Sequence, residues 1–140
     1  MMDFNAETYE PYQDPYAEPW ERSYAMWIHL GSLIAFAAVV LPSAGVGFFV
    51  PALVALVLWL IRRHDSPFID DHGREALNFQ ISLLILFIPA IVVGVLLCGV
   101  GVLVTLPGWA VLGIVGGAFA ASAANRGRYY RYPMCVRLLG

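Results

Sequence analysis

The sequence predicts an all-α membrane protein. Four transmembrane helices form two helical hairpins, with the N and C termini cytoplasmic and a short interfacial helix in the middle loop. Three observations predict it. The 140 residues are 60% hydrophobic and only 13% charged, where a soluble domain carries about a quarter charged residues. No Asp, Glu, Lys or Arg occurs in the 39 residues from Ser23 to Ile61, or in the 50 from Ala76 to Asn125. A hydrocarbon core about 30 Å thick takes about 20 helical residues per crossing, so each stretch holds two. The eight basic residues (Arg22, Arg62, Arg63, Arg74, Arg126, Arg128, Arg131 and Arg137) all lie in the N-terminal flank, the middle loop or the C-terminal tail. The positive-inside rule makes those three segments cytoplasmic. A net charge of −2 gives no reason to expect nucleic acid.

Residues 1–22 read as a flexible acidic leader with a proline–aromatic repeat, PYQD, PYAE, PWER, whose prolines favour extended backbone. Its acidic start lacks the basic opening of a signal peptide, so helix one is expected to act as its own insertion signal. The transmembrane domain covers 23–125. Helix one runs from about 24 to 41 and breaks at LPSAGVG; helix two runs from 46 to 63. With 16 uncharged residues from Val46 to Ile61, helix two is the short one, and a re-entrant path is its alternative. In the loop RRHDSPFIDDHG, Ser66-Pro67 is a helix start, Phe68 and Ile69 lie in the interface, and Gly73 turns the chain into helix three. Helix three runs from 75 to 97, CGVG breaks the chain, and helix four runs from 102 to 124. The basic, aromatic tail 126–140 is expected along the anionic inner surface of the membrane. Cys98 and Cys135 fall on opposite faces, so no disulfide is expected.

Most of the charge in the middle loop reads as ordinary helix-end electrostatics and a solvated surface loop. A metal site drawn from His64, Asp70 and His72 lacks the tight ligand pairs of zinc centres, and no catalytic motif is present. No cofactor is expected. A polar layer lies just inside the loop. Glu75, Asn78 and Ser82 share one face of helix three, Gln80 projects from another, and His29 and Asn125 enter at similar depth from helices one and four. Such groups in a membrane serve either as an interhelical clasp, the favoured reading, or as a polar vestibule. Gly113, Gly117 and Ala121 make a small-residue stripe on helix four, and Gly94 lies on a similar one on helix three. These are helix-packing surfaces, either within one bundle or between copies.

His29-Leu30, Pro51, WLIRRHDSPFIDDHG and REALNFQIS together resemble a family of small bacterial four-helix membrane proteins. That family is similar to the twenty-kilodalton import component of the chloroplast inner-envelope Tic complex. The resemblance covers about residues 22–130 and implies a compact bundle near protein translocation or membrane-complex assembly. It sets the expectation of a non-enzymatic protein of the bacterial inner membrane. Its partners are expected to be the lipid bilayer and other membrane proteins, or itself. The alternative is an oligomeric channel or small-solute transporter, for which His29 is the titratable group within the membrane.

Overall fold

In the computed structural model, residues 12–43, 45–133 and 135–140 are described. They form four helices: α1 (Pro19–Ala35), α2 (Val50–Arg62), α3 (Pro67–Leu96) and α4 (Val102–Asn125). Residues 1–11 of the leader, and Ala44 in the first turn, lie outside the described residues.

The α1 helix starts at Pro19, inside the expected leader. Proline is pre-set for the first helical position, and Glu21 accepts the Glu18 backbone N–H at 2.6 Å, supporting the first turn. At its far end α1 continues through a π-helical turn, Phe36–Val40, giving an apolar unit of 22 residues. The chain then turns over Leu41–Phe49. Gly45 has φ +95°, and a Cβ there would lie 2.4 Å from the Phe87 ring, so glycine is needed on both counts. These turns delay α2 to Val50. Its 13 residues rise about 20 Å, short of a hydrocarbon core about 30 Å thick. Three of the four helices are long and apolar enough to cross a membrane, and α2 is not among them.

The middle segment differs most from expectation. No separate interfacial helix forms, and Gly73 is not a turn. Ser66 caps the helix, its hydroxyl accepting from Phe68 N–H at 3.2 Å, and α3 runs unbroken for 30 residues. Glycine is needed at position 73 for contact: a Cβ there would lie 2.1 Å from Trp59 Cδ1. The Trp59 ring lies on this notch and donates to Asp70 at 2.8 Å, docking the end of α2 on the start of α3. Gly73→Ala is therefore expected to destabilise the fold by about 2 kcal/mol through overpacking. Detergent-titrated unfolding measures it; an unchanged midpoint would contradict this packing.

The small residues of α4 pack within the bundle. Gly113 lies under the Phe36 ring, Gly117 under Leu33, and Gly116 under Phe79. Trp109 wedges between Phe36 and Phe87, each 5.0 Å centroid to centroid, and donates to the Leu83 carbonyl at 2.8 Å. Gly94 faces Val102 where α3 turns into α4. Ala121 is buried beside the fully buried Ala120 and Ala124.

All three charge clusters gather at one end of the bundle. Arg62 lies over Trp20 and Tyr24, at 5.6 and 5.7 Å, and Tyr24 donates to the Leu58 carbonyl at 2.7 Å. The tail after α4 returns to this same end, and there it builds the site.

A histidine pair under a C-terminal strap as the candidate functional site

Helix α1 contributes His29, and α3 contributes His72, Glu75, Asn78 and Ser82 along one face. All five are buried, with His72 and Asn78 at 0% exposure. Over them runs the segment 128–140. The expectation that it spreads on the membrane surface does not hold: it is a strap bound to α3 by its own backbone. The Asn78 side-chain amide donates to the Leu139 carbonyl at 3.0 Å. Its oxygen accepts from Leu138 N–H at 3.1 Å and Leu139 N–H at 2.9 Å. One turn further, Ser82 Oγ accepts from Val136 N–H at 2.8 Å and donates to the Asn78 carbonyl at 2.7 Å. These contacts supply partners for strap backbone groups that no sheet or helix satisfies.

Charge reinforces the strap. The guanidinium of Arg131 takes both oxygens of Asp71 at 2.6 Å, the bidentate geometry that fixes orientation. Arg137 lies 3.1 Å from Glu75 Oε1, and Arg131 lies 3.6 Å from the same atom. The other oxygen, Oε2, is buried and has no hydrogen-bond partner among the described residues. Arg74 pairs with Asp70 and donates to the Gly140 carbonyl at 2.5 Å.

At the centre is a chain of three hydrogen bonds. Tyr132 Oη lies 2.9 Å from His29 Nδ1, His29 Nε2 lies 2.9 Å from His72 Nδ1, and His72 Nε2 lies 3.1 Å from the Arg128 carbonyl. A carbonyl only accepts, so His72 Nε2 carries a proton. With neutral rings His72 Nδ1 then accepts, His29 Nε2 donates, His29 Nδ1 accepts, and Tyr132 donates. One pair of tautomers satisfies every atom. Aromatic contacts hold the rings in place: Tyr132 stacks on Phe79 at 3.8 Å, and Tyr129 lies parallel to His72 at 6.1 Å.

The leader closes the other side. Among its described residues, Asp14 N–H donates to the Gly127 carbonyl at 2.8 Å, and Tyr129 N–H donates to the Tyr12 carbonyl at 3.0 Å. Tyr129 Oη donates to Asp14 at 2.9 Å. Residues 12–14 are thus paired with the strap, where a flexible leader was expected.

Burial pushes the Tyr132 hydroxyl well above its ordinary 10.0. Burial and the Asp14 hydrogen bond raise Tyr129 as well. A phenol whose folded pKa is raised contributes stability below its unfolded value, lost as pH rises from there towards the folded value. Thermal stability is expected to be insensitive to these two groups up to about pH 10 and to fall above it. Alkaline melt series of the wild type and of a Tyr129→Phe/Tyr132→Phe variant check this; an alkaline loss of the same size in the variant would contradict the buried phenols.

Of the residues expected in the polar layer, His29, Glu75, Asn78 and Ser82 are brought together. Gln80 is buried and takes part in none of the strap contacts described above, while Asn125 is exposed at the end of α4, outside the layer. Sequence reasoning left Tyr132, Asp71, Arg131 and Arg137 out of the layer, and weighed His72 only as a metal ligand. One signal was available: the face of Glu75, Asn78 and Ser82, continued back one turn, reaches His72. The charged stretch between α2 and α3, expected as a solvated surface loop, is not mainly one, since His72 to Gln80 are buried except for Arg74. His64 is exposed and accepts from Arg63. Asp70 is held by Trp59 and Arg74, and no group of three or more metal-ligating side chains forms among the described residues.

Fold and site define an all-helical membrane protein whose buried polar groups bind its own C-terminal segment. The chain belongs to the magnetosome magnetite crystal formation protein family (MamF/MmsF), whose model matches residues 20–139. That family is membrane-associated and takes part in magnetosome formation. No curated protein and no solved structure matches the chain. The relationship to the chloroplast import component finds no support in these comparisons.

Proposed function

We propose that this chain is a non-enzymatic scaffold of the magnetosome membrane. It acts on crystal formation by assembling with other membrane proteins or with copies of itself. Its charged end, with both termini, faces the cytoplasm by the positive-inside rule. The uncharged turns around Leu41–Phe49 and Leu97–Gly101 face the compartment in which a crystal forms. The supporting observation is that the polar layer is taken up by the chain's own strap: Asn78, Ser82 and both histidines bond to residues 128–139. This supports the reading as a clasp.

The orientation adds a chemical constraint. Iron-oxide surfaces are hard and bind carboxylate oxygens well, and neither uncharged stretch carries a carboxylate. On the proposed orientation this favours an influence on the crystal through partners and membrane organisation. A part in protein translocation rests on the loop resemblance alone and is not carried forward. The channel alternative, an oligomer or vestibule with His29 as the titratable group, is less favoured here, since both ring nitrogens of His29 are engaged.

Complementation tests the function. In a magnetite-forming host deleted for its own family member, this chain is expected to restore crystal dimensions seen by electron microscopy, and Asn78→Ala to restore them poorly. Crystals unaffected by the intact chain would sink the proposal. Orientation is tested separately in spheroplasts of a bacterial host. A membrane-impermeant maleimide is expected to label the exposed Cys98 directly. In an Asp65→Cys variant lacking Cys98, it labels only after detergent; the reverse pattern would invert the topology.

A further inference from the structure

A groove of about 600 Å³ runs along α4. Phe79 of α3 and Tyr130 and Tyr132 of the strap form its walls, and Val111, Val115 and Phe119 lie along its length. A second groove, of about 380 Å³, shares Gly108 and Leu112 with it. The opening therefore extends towards the uncharged end. Gly108 leaves it open, because a Cβ there would meet nothing within 4 Å.

From Gly108 to Phe119 the helix rises about 16 Å, which is half of a hydrocarbon core about 30 Å thick, the depth of one leaflet. Gly108, Leu112, Val115 and Phe119 follow one another at steps of three and four, a single helical face. The same register continues to Ser122 and then to Arg126 at the C-cap, both exposed. Among the described residues, neither Arg126 nor Arg128 makes an ion pair. Along one helical face, an apolar slot one leaflet deep thus leads to Arg126 at the charged end.

We propose that this groove binds one acyl chain of an anionic phospholipid, with its phosphate at Arg126. The membrane supplies the ligand, and the apolar lining suits a hydrocarbon chain. A zwitterionic headgroup carries its own cation, which the Arg126 guanidinium repels; phosphatidylglycerol carries none, so charge selects it. The C-terminal end of the α4 dipole opposes an anion, and the long arginine side chains reach past it to the headgroup level.

The test uses the full chain reconstituted in vesicles of equal phosphatidylglycerol and phosphatidylcholine. The protein is extracted in mild detergent, and its retained lipids are counted by native mass spectrometry. The wild type is expected to retain phosphatidylglycerol over phosphatidylcholine by about tenfold. Gly108→Leu fills the slot and loses the retained lipid, with its helical circular dichroism unchanged. Arg126→Gln keeps a lipid but loses the headgroup preference. Should Gly108→Leu fail to fold, Val111→Trp blocks the same groove from a position that is 57% exposed. Equal retention of the two lipids by the wild type, or undiminished retention in both groove variants, overturns the proposal. A wild-type dimer that Gly108→Leu dissociates also overturns it, by assigning the groove to a second copy.

Discussion

Asn78→Ala is expected to release the C-terminal strap while leaving the four helices folded. The side chain is 0% exposed and makes three hydrogen bonds to the backbone of Leu138 and Leu139. At about 1 kcal/mol net for each, the loss is about 3 kcal/mol, or about a hundredfold in the population of the opened strap. Trypsin reads this directly, because it cuts after Arg131 and Arg137, both held on α3 by Asp71 and Glu75. Where opening and closing are fast, cleavage follows the open population. Cleavage in the strap should therefore accelerate about a hundredfold, with the helical signal retained. A rate unchanged from the wild type would mean that Asn78 does not hold the strap.

The second large effect is on the histidine pair. His29→Leu leaves the Tyr132 hydroxyl and His72 Nδ1 buried without their partner. Each such group costs about 1–3 kcal/mol, so the expected loss is about 4 kcal/mol. His72→Leu likewise strands His29 Nε2 and the Arg128 carbonyl. The double variant removes both ends of the central bond, and its cost should be about 2 kcal/mol less than the sum of the single costs. Unfolding titrations in mixed micelles give all four corners of this cycle. Additive losses would show that the two rings do not interact.

Much of the helical pattern was legible because the bilayer is a simple solvent. Lipid demands long uncharged runs, and Ser23–Ile61 and Ala76–Asn125 declare themselves. The ends were less legible. Gly73 resembled a turn, since sequence shows the missing side chain but not the Trp59 ring that needs the space. The length of α2 depended on Gly45 and its contact with Phe87, again a tertiary fact. For the site, spacing along α3 brought Glu75, Asn78 and Ser82 to one face, because that face is local geometry. Tyr132, Arg131 and Arg137 were hidden by composition: a basic, aromatic tail beside a membrane looks like a surface segment. It docks because α3 offers carboxylates and an amide at matching intervals, a relation across more than fifty residues. Asn125 failed for a related reason. It ends α4, but its side chain is exposed there and does not enter the layer.

The polar layer is closed by the chain's own strap, and hydrogen exchange of the wild-type chain in lipid nanodiscs, read by mass spectrometry over residues 128–140, measures that closure. Slow exchange is expected at Val136, Leu138 and Leu139, whose amides donate to Ser82 and Asn78. Exchange at the rate of an unstructured peptide throughout this segment would contradict it.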